Sequence, residues 1–240
     1  MCCLLGLDIR TVVGIDGKRA MKDTDFARSI FSWEGEDVLI YKISRDYLRI
    51  DKGFYVDVGA HHPFALSNTY LLYQSGWRGI NIDAMPGSMI PFNEHRAGDI
   101  NIEMGVSLHP GTLRFSMFTD PGLNGFLSDD MIQSHLNRGI RLIEQKNIEC
   151  QPLNVILERV GPLPPIDLLA VDTEGLDLEV IKSNDFSVHR PKLILVEILG
   201  ASDMTSVIGS QITKTLMGQQ YRLFSRLHFS ALFMDAEYVA

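Results

Sequence analysis

Residues 54–83, FYVDVGAHHPFALSNTYLLYQSGWRGINID, decide how the rest of the chain is read. Phe54-Tyr55-Val56-Asp57-Val58 is an apolar run rich in aromatic and β-branched residues that stops at Gly59, and Ile80-Asn81-Ile82 is a second that ends on Asp83. The segment between them suits one crossover helix. Two strands joined in this way form a right-handed parallel βαβ unit, and ligands of such sheets sit beyond the carboxyl ends of the strands. Gly59 and Asp83 are therefore expected to face one crevice.

Outward from this unit the pattern continues. Pro86 stands where a helical first turn tolerates it, Met89 to Ala97 makes a second crossover helix, and Ile100 to Val106 a third strand. Thr112 to Phe118 alternates like an added hairpin strand. Beyond Pro162, Pro164 and Pro165, the apolar run Ile166 to Val171 has the character of a strand buried on both faces, and it ends in Asp172-Thr173-Glu174-Gly175. Lys192 to Val196 is another such run and ends on Glu197. Further helices are expected over 35–48, 129–144, 153–160, 176–182 and 204–217, with Tyr221 to Phe224 and Phe229 to Phe233 as a terminal antiparallel pair. Residues 119–150 show no sheet role, and long insertions of this kind often cover active sites. The expected fold is α/β: a doubly wound, Rossmann-like, seven-stranded and mostly parallel sheet with a C-terminal antiparallel hairpin, the architecture of class I methyltransferases. Residues 1–50 are expected to be an N-terminal extension and a helix packing near the cofactor site, and residues 51–240 a single methyltransferase domain.

With 240 residues, 45% hydrophobic and 22% charged, the composition is that of an ordinary globular chain. A formal charge of −8 with no basic cluster argues against nucleic acid as a partner, since affinity for phosphate backbones comes from grouped Lys and Arg. No apolar run reaches the ~18 residues of a membrane span, and the start MCCLLGLDIR lacks a cationic region ahead of its apolar stretch. Cys2, Cys3 and Cys150 make neither a disulfide framework nor a closed metal-ligand spacing. Adjacent Cys2 and Cys3 lack a second anchoring signal, so lipidation is disfavoured. A cytoplasmic location is expected.

Charge inside a sheet is costly without a partner, so acids that recur at strand ends are informative. Asp57, Asp83, Asp172 and Glu197 do so here. An S-adenosylmethionine site on such a sheet needs a close backbone approach after the first strand and an acid after the second for the ribose hydroxyls. Gly59 offers the first, Asp83 the second, and a helix after Pro63 would aim N–H groups at the methionine carboxylate. A single glycine is not GxGxxG, however, and nicotinamide enzymes also carry an acid after strand two, so both cofactor classes remain open on the pattern alone.

FYVDVGAHHPFALSNTYLLYQSGWRGINIDAMPG, IDLLAVDTEGLDLEVIKSNDF, RPKLILVEI and SWEGEDVLIYKI each resemble the FkbM family of S-adenosylmethionine-dependent methyltransferases. The resemblance runs from about Ser32 to Glu197, with nothing specific after Ser202. It implies transfer of a methyl to a hydroxyl oxygen of a sugar, polysaccharide or natural-product acceptor. It places Asp57, Gly59, Ala60 and His61 around the methionine part of the cofactor and Asp83 at the ribose, where many members carry Glu. Asn68 and Thr69 are candidates for the cofactor carboxylate or for capping the first crossover helix. Ala84 and Ser107, just past the second and third strands, complete the cofactor-binding set together with Asp172. A homo-oligomer is compatible with this reading.

For the acceptor hydroxyl, Asp172 is the leading base, with Glu174 and His61 as alternatives; helix capping is the competing role for Asp172 and Glu174, and turn packing against Tyr55 or Phe64 for His61 and, more strongly, His62. Asp172, Glu174 and Glu197 together could also bind Mg2+. Trp33 and Trp77 are expected to be packing residues, and Glu34 to Asp37 either a solvated helix entry or a lid over the cofactor. A cofactor-binding scaffold without turnover, or a partner-binding protein, is the rival from another class.

Overall fold

The computed structural model describes residues 29–239, so expectations for Cys2, Cys3 and the first two dozen residues lie outside it. Both sheets lie in the compact unit that begins at Phe31. Its main sheet contains β1 (Phe54–Val58), β2 (Arg78–Asp83), β3 (Ile100–Glu103), β7 (Leu168–Val171), β8 (Leu193–Glu197), β9 (Tyr221–Arg226) and β10 (Ser230–Asp235). The order is β3-β2-β1-β7-β8-β10-β9, seven strands, with β10 antiparallel to both neighbours and the other pairings parallel. This is the expected Rossmann-like α/β sheet, reversing direction in sequence between β1 and β7.

Alternation along the strands sorts side chains onto two faces. Val56, Val58, Ile80, Ile82, Leu169, Val171, Ile194 and Val196 pack against Leu153, Leu157, Val180, Ile181 and Leu216 of α5 (Leu153–Val160), α6 (Asp177–Ser183) and α8 (Gln211–Gly218). Tyr55, Leu168, Ala170, Leu193 and Leu195 pack on the other face against Ile40, Leu72 and Trp77. Ile40 belongs to α1 (Glu36–Lys42), which continues as a π-helical turn over Ile43–Tyr47, and Leu72 to the short crossover helix α2 (Tyr70–Gln74). Trp77 is a packing residue, as expected.

The segment 119–150 departs from expectation. The helix read over 129–144 is α4 (Asp129–Asn137), and Leu142–Gln151 is a strand, β6. β6 pairs antiparallel with β5 (Gly111–Phe118) and parallel with β4 (Gly105–Val106), making a second, three-stranded sheet in the order β4-β6-β5. The third strand read over 100–106 accordingly divides at Met104, β3 staying with β2 while β4 leaves for β6. Gly105 permits this, because a Cβ there would collide with the Cys150 sulfur on β6. The helix read over 204–217 is two, α7 (Met204–Gly209) and α8, with Ser210 ending one and capping the other through Thr213 N–H. The remaining helix, α3 (Met89–His95), lies between β2 and β3. Among the described residues no helix is long and apolar enough to cross a membrane.

Candidate active site

Sheet register explains where the acids meet. Val58 is level with Ile82 on β2 and Val171 on β7, and Val171 is level with Val196 on β8. One residue further along, Asp83, Gly59, Asp172 and Glu197 therefore form a row across four neighbouring strands at their carboxyl ends. Asp83 and Glu197 share the strand alternation of the α1-side face, as do Gly59 and Asp172. Neighbouring strands lie about 4.8 Å apart. The row borders a cavity of about 570 Å³, within the roughly 300–1,000 Å³ typical of small-molecule sites.

Gly59 is required for a reason other than the one expected from sequence. Its φ is +82°, and a Cβ would collide with the backbone carbonyl of Asp172, so glycine lets the ends of β1 and β7 close together. Asp83 receives 2.8 Å hydrogen bonds from the N–H groups of His61 and Met85, one on each carboxylate oxygen. Burial pushes its pKa up while these two donors hold it back. Each oxygen retains a lone pair for a hydroxyl donor.

The chain between β1 and α2 forms a loop, and α2 begins only at Tyr70, so no helix N-terminus follows Pro63. His61 lines the cavity with φ +56°, a left-handed conformation uncommon away from glycine. His62 instead closes the turn: its Nδ1 accepts from Phe64 and Ala65 N–H, and its ring stands edge-on to Phe64. Asn68 and Ala84 line the cavity. Asp57, Ala60, Thr69 and Ser107 are buried outside the lining. Thr69 donates through Oγ1 to Asp57 at 2.5 Å rather than capping α2, and Ser107 donates to the carbonyl of His109. Desolvation raises the Asp57 pKa to about 6, opposed by Thr69 and by Arg96.

Asp172, Glu174 and Glu197 bring carboxylate oxygens within 4.8 Å of one another. Burial raises the Asp172 pKa well above the usual carboxylate range, and Glu174 adds to it by charge repulsion. Burial and then Asp177 and Asp120 push Glu174 up to about 7. Glu197 is raised by burial and then by Asp172, and its Oε2 is buried without a hydrogen-bond partner among the described residues. Neither Asp172 nor Glu174 caps α6. Asp177 organises that turn instead, accepting from Thr173 N–H and Oγ1 and from Gly175 N–H. Glu174 holds φ +50°, which turns the chain back toward the row.

The 119–150 segment covers this turn. Gly125 exchanges two hydrogen bonds with Ser116 of β5, and a Cβ on Gly125 would stand 2.7 Å from the carbonyl oxygen of Glu174. His135 of α4 also lines the cavity, 8% exposed, edge-on to Phe118, with neither ring nitrogen bonded among the described residues. Burial lowers its pKa. Sequence gave no signal for His135, since a lone histidine in a polar helix has no distinguishing pattern.

Two further expectations change. Trp33 is 72% exposed at the cavity rim rather than packed. The acids near α1 are bonded inward: Asp37 accepts from Phe31 N–H and Ser32 Oγ, and Glu36 from Glu34 N–H and Ser230 Oγ. Glu34 accepts from Phe229 N–H, so this run ties the entrance of α1 to the β9–β10 hairpin at the cavity edge instead of forming a solvated helix entry.

A model described as the methyltransferase FkbM domain matches residues 57–223. The chain belongs to that family. The match begins at Asp57 in β1, takes in the row of strand-end acids and the second sheet, and continues past Ser202 to Leu223 in β9. This methyltransferase is also similar to the crystal structure of precorrin-6y C5,15-methyltransferase from Geobacter metallireducens GS-15, at 12% identity over 88% of this chain and 93% of that one, with a TM-score of 0.39. No curated protein sequence matches it.

Proposed function

We propose that this methyltransferase uses S-adenosylmethionine and methylates a hydroxyl oxygen on a sugar, polysaccharide or natural-product acceptor. The observation that carries the reading is the row of Asp83, Gly59, Asp172 and Glu197 along one cavity. The residues fit the cofactor. Asp83 keeps lone pairs free for ribose hydroxyls, Ile82, Met104, Val106 and Phe126 offer apolar walls for a flat base, and the acidic row suits a cationic sulfonium. When bound, that cofactor supplies an electrophilic methyl on positively charged sulfur.

The chain's own contribution is placement and proton handling. Transfer needs the acceptor oxygen in line with the breaking sulfur–carbon bond, and correct placement is worth on the order of 7–11 kcal/mol. The loop held by Gly125 and the α4 side chains close one wall of the cavity and keep water from the acceptor. As the oxygen takes the methyl, its proton passes to a carboxylate oxygen of Asp172, with Glu174 beside it; such assistance typically adds ~10²–10⁴-fold. His61, two residues past Gly59, lines the cavity where it can hold the cofactor's methionine part.

A crystal structure with S-adenosylhomocysteine tests this assignment. The expected result has both ribose hydroxyls on the Asp83 carboxylate and the sulfur turned toward Asp172. A ligand whose ribose leaves Asp83 untouched overturns it.

A further inference from the structure

Parallel strands that end level with one another normally avoid like charges side by side, because directly opposed like charges are destabilising. Here Asp172 and Glu197 occupy adjacent places in the row, and Glu174 is folded back to join them by a residue in the left-handed conformation. None of the three carboxylates takes a hydrogen bond or an ion pair in the described structure, whereas Asp83, Asp57 and Asp177 nearby are each satisfied by N–H or hydroxyl donors. Glu197 is 8% exposed, lines the cavity, and keeps Oε2 buried without a partner among the described residues. A buried acceptor left in that state costs about 1–3 kcal/mol, more when charged.

We propose that Asp172, Glu174 and Glu197 hold a hard divalent cation of the Mg2+ or Ca2+ type, with its open positions facing the cavity. The three ligand oxygens lie within 4.8 Å of one another. Oxygens on opposite sides of such an ion stand about 4 Å apart for Mg2+ and about 5 Å for Ca2+, twice the respective metal–oxygen distances, so the gap accommodates either without moving a strand. All three ligands are oxygen, which selects hard cations over thiophilic ones. Glu36 of α1 lines the same cavity, and Arg138, which follows α4, lines it too; among the described residues neither Arg138 nor any other Lys or Arg makes an ion pair with the three carboxylates.

The inference deepens the methyltransferase reading and rests on it. Three protein ligands leave about three positions of an octahedral ion for the acceptor and water, which favours acceptors that present two neighbouring oxygens. A hydroxyl bound there is more acidic. Its oxygen then forms the bond to carbon while the sulfur–carbon bond breaks with its electron pair remaining on sulfur, and the proton leaves to a carboxylate oxygen not engaged by the ion.

Titration of the chelator-treated full chain with Mn2+, followed by electron paramagnetic resonance, with S-adenosylhomocysteine calorimetry on the same samples, tests the site. One Mn2+ per chain is expected, displaced by Mg2+. Asp172→Asn, Glu174→Gln and Glu197→Gln should each weaken it at least about tenfold, the loss that even outer partners of metal sites command. Asp130→Asn, on the exposed first turn of α4, should leave it unchanged. Wild-type chain that binds S-adenosylhomocysteine but no Mn2+ overturns the inference and leaves the cofactor reading standing, and so does Mn2+ affinity that is equal in the three site variants. Failure to bind both ligands overturns the cofactor reading together with the ion. The wild-type titration decides these outcomes even if a variant does not fold.

Discussion

At the scale of single residues, hydrogen bonding separates the acids that hold turns from those that face the cavity unpartnered. Asp57 and Asp177 are buried, yet each is bonded by hydroxyl or N–H donors and supports a turn. Asp172, Glu174 and Glu197 stand without such donors on the cavity. The same distinction singles out His135, whose imidazole pKa is lowered by burial and whose ring nitrogens bond nothing among the described residues. Its ring contact with Phe118 is one that phenylalanine can reproduce. His135→Phe should therefore stabilise the protein by about 1 kcal/mol, because it removes unpaired polar atoms and retains the packing. Thermal melting checks this, and a lower melting temperature would show that the imidazole is satisfied in the free protein.

At the scale of elements, the first crossover is held by a buried polar network rather than by helix length. Arg96, following α3, is 0% exposed. It pairs with Asp99 at 3.0 Å, donates to Thr69 Oγ1 at 2.9 Å and to the Tyr55 hydroxyl, and thereby connects β1, the loop before α2 and the start of β3. Asp99 in turn accepts from the N–H of Gly79. Arg96→Ala leaves that carboxylate buried without its cation and should cost about 3–5 kcal/mol, whereas Arg96→Met with Asp99→Asn, which removes the lone charge and keeps an acceptor for Gly79 N–H, should recover part of the loss. Denaturant unfolding measures both, and a double variant no better than the single would assign the loss to packing. Strands β1, β2, β7 and β8 were legible because buried parallel strands require apolar runs, and their acidic ends stand out against that background. β6 was not legible: LIEQKNIECQ carries Glu, Gln and Lys in a largely exposed strand, residues that favour helix when packing does not decide. Asp177 and Arg96 escaped notice because their roles depend on partners distant in sequence or on a turn that local pattern does not specify. Trp33 was misassigned since a large aromatic is more often buried than set at a cavity rim.

At the scale of the molecule, two sheets divide the work. The seven-stranded sheet brings Gly59, Asp83, Asp172 and Glu197 into register, and the β4-β6-β5 sheet with α4 covers the Asp172–Gly175 turn through Gly125. Both lie within residues 57–223, the stretch that the FkbM family model matches, and the second sheet and α4 contribute side chains to the cavity wall. On the proposed function, choice of acceptor falls to the covering segment and rim, where Trp33 and His135 line the cavity, more than to the row itself. The central claim is that the row binds S-adenosylmethionine, and calorimetry with S-adenosylhomocysteine and NAD tests it most directly. The account predicts one S-adenosylhomocysteine per chain, no NAD, and roughly tenfold to hundredfold weaker binding in Asp83→Ala, the loss of a hydrogen bond to a charged group. Binding of NAD alone, or S-adenosylhomocysteine affinity indifferent to Asp83, would contradict it.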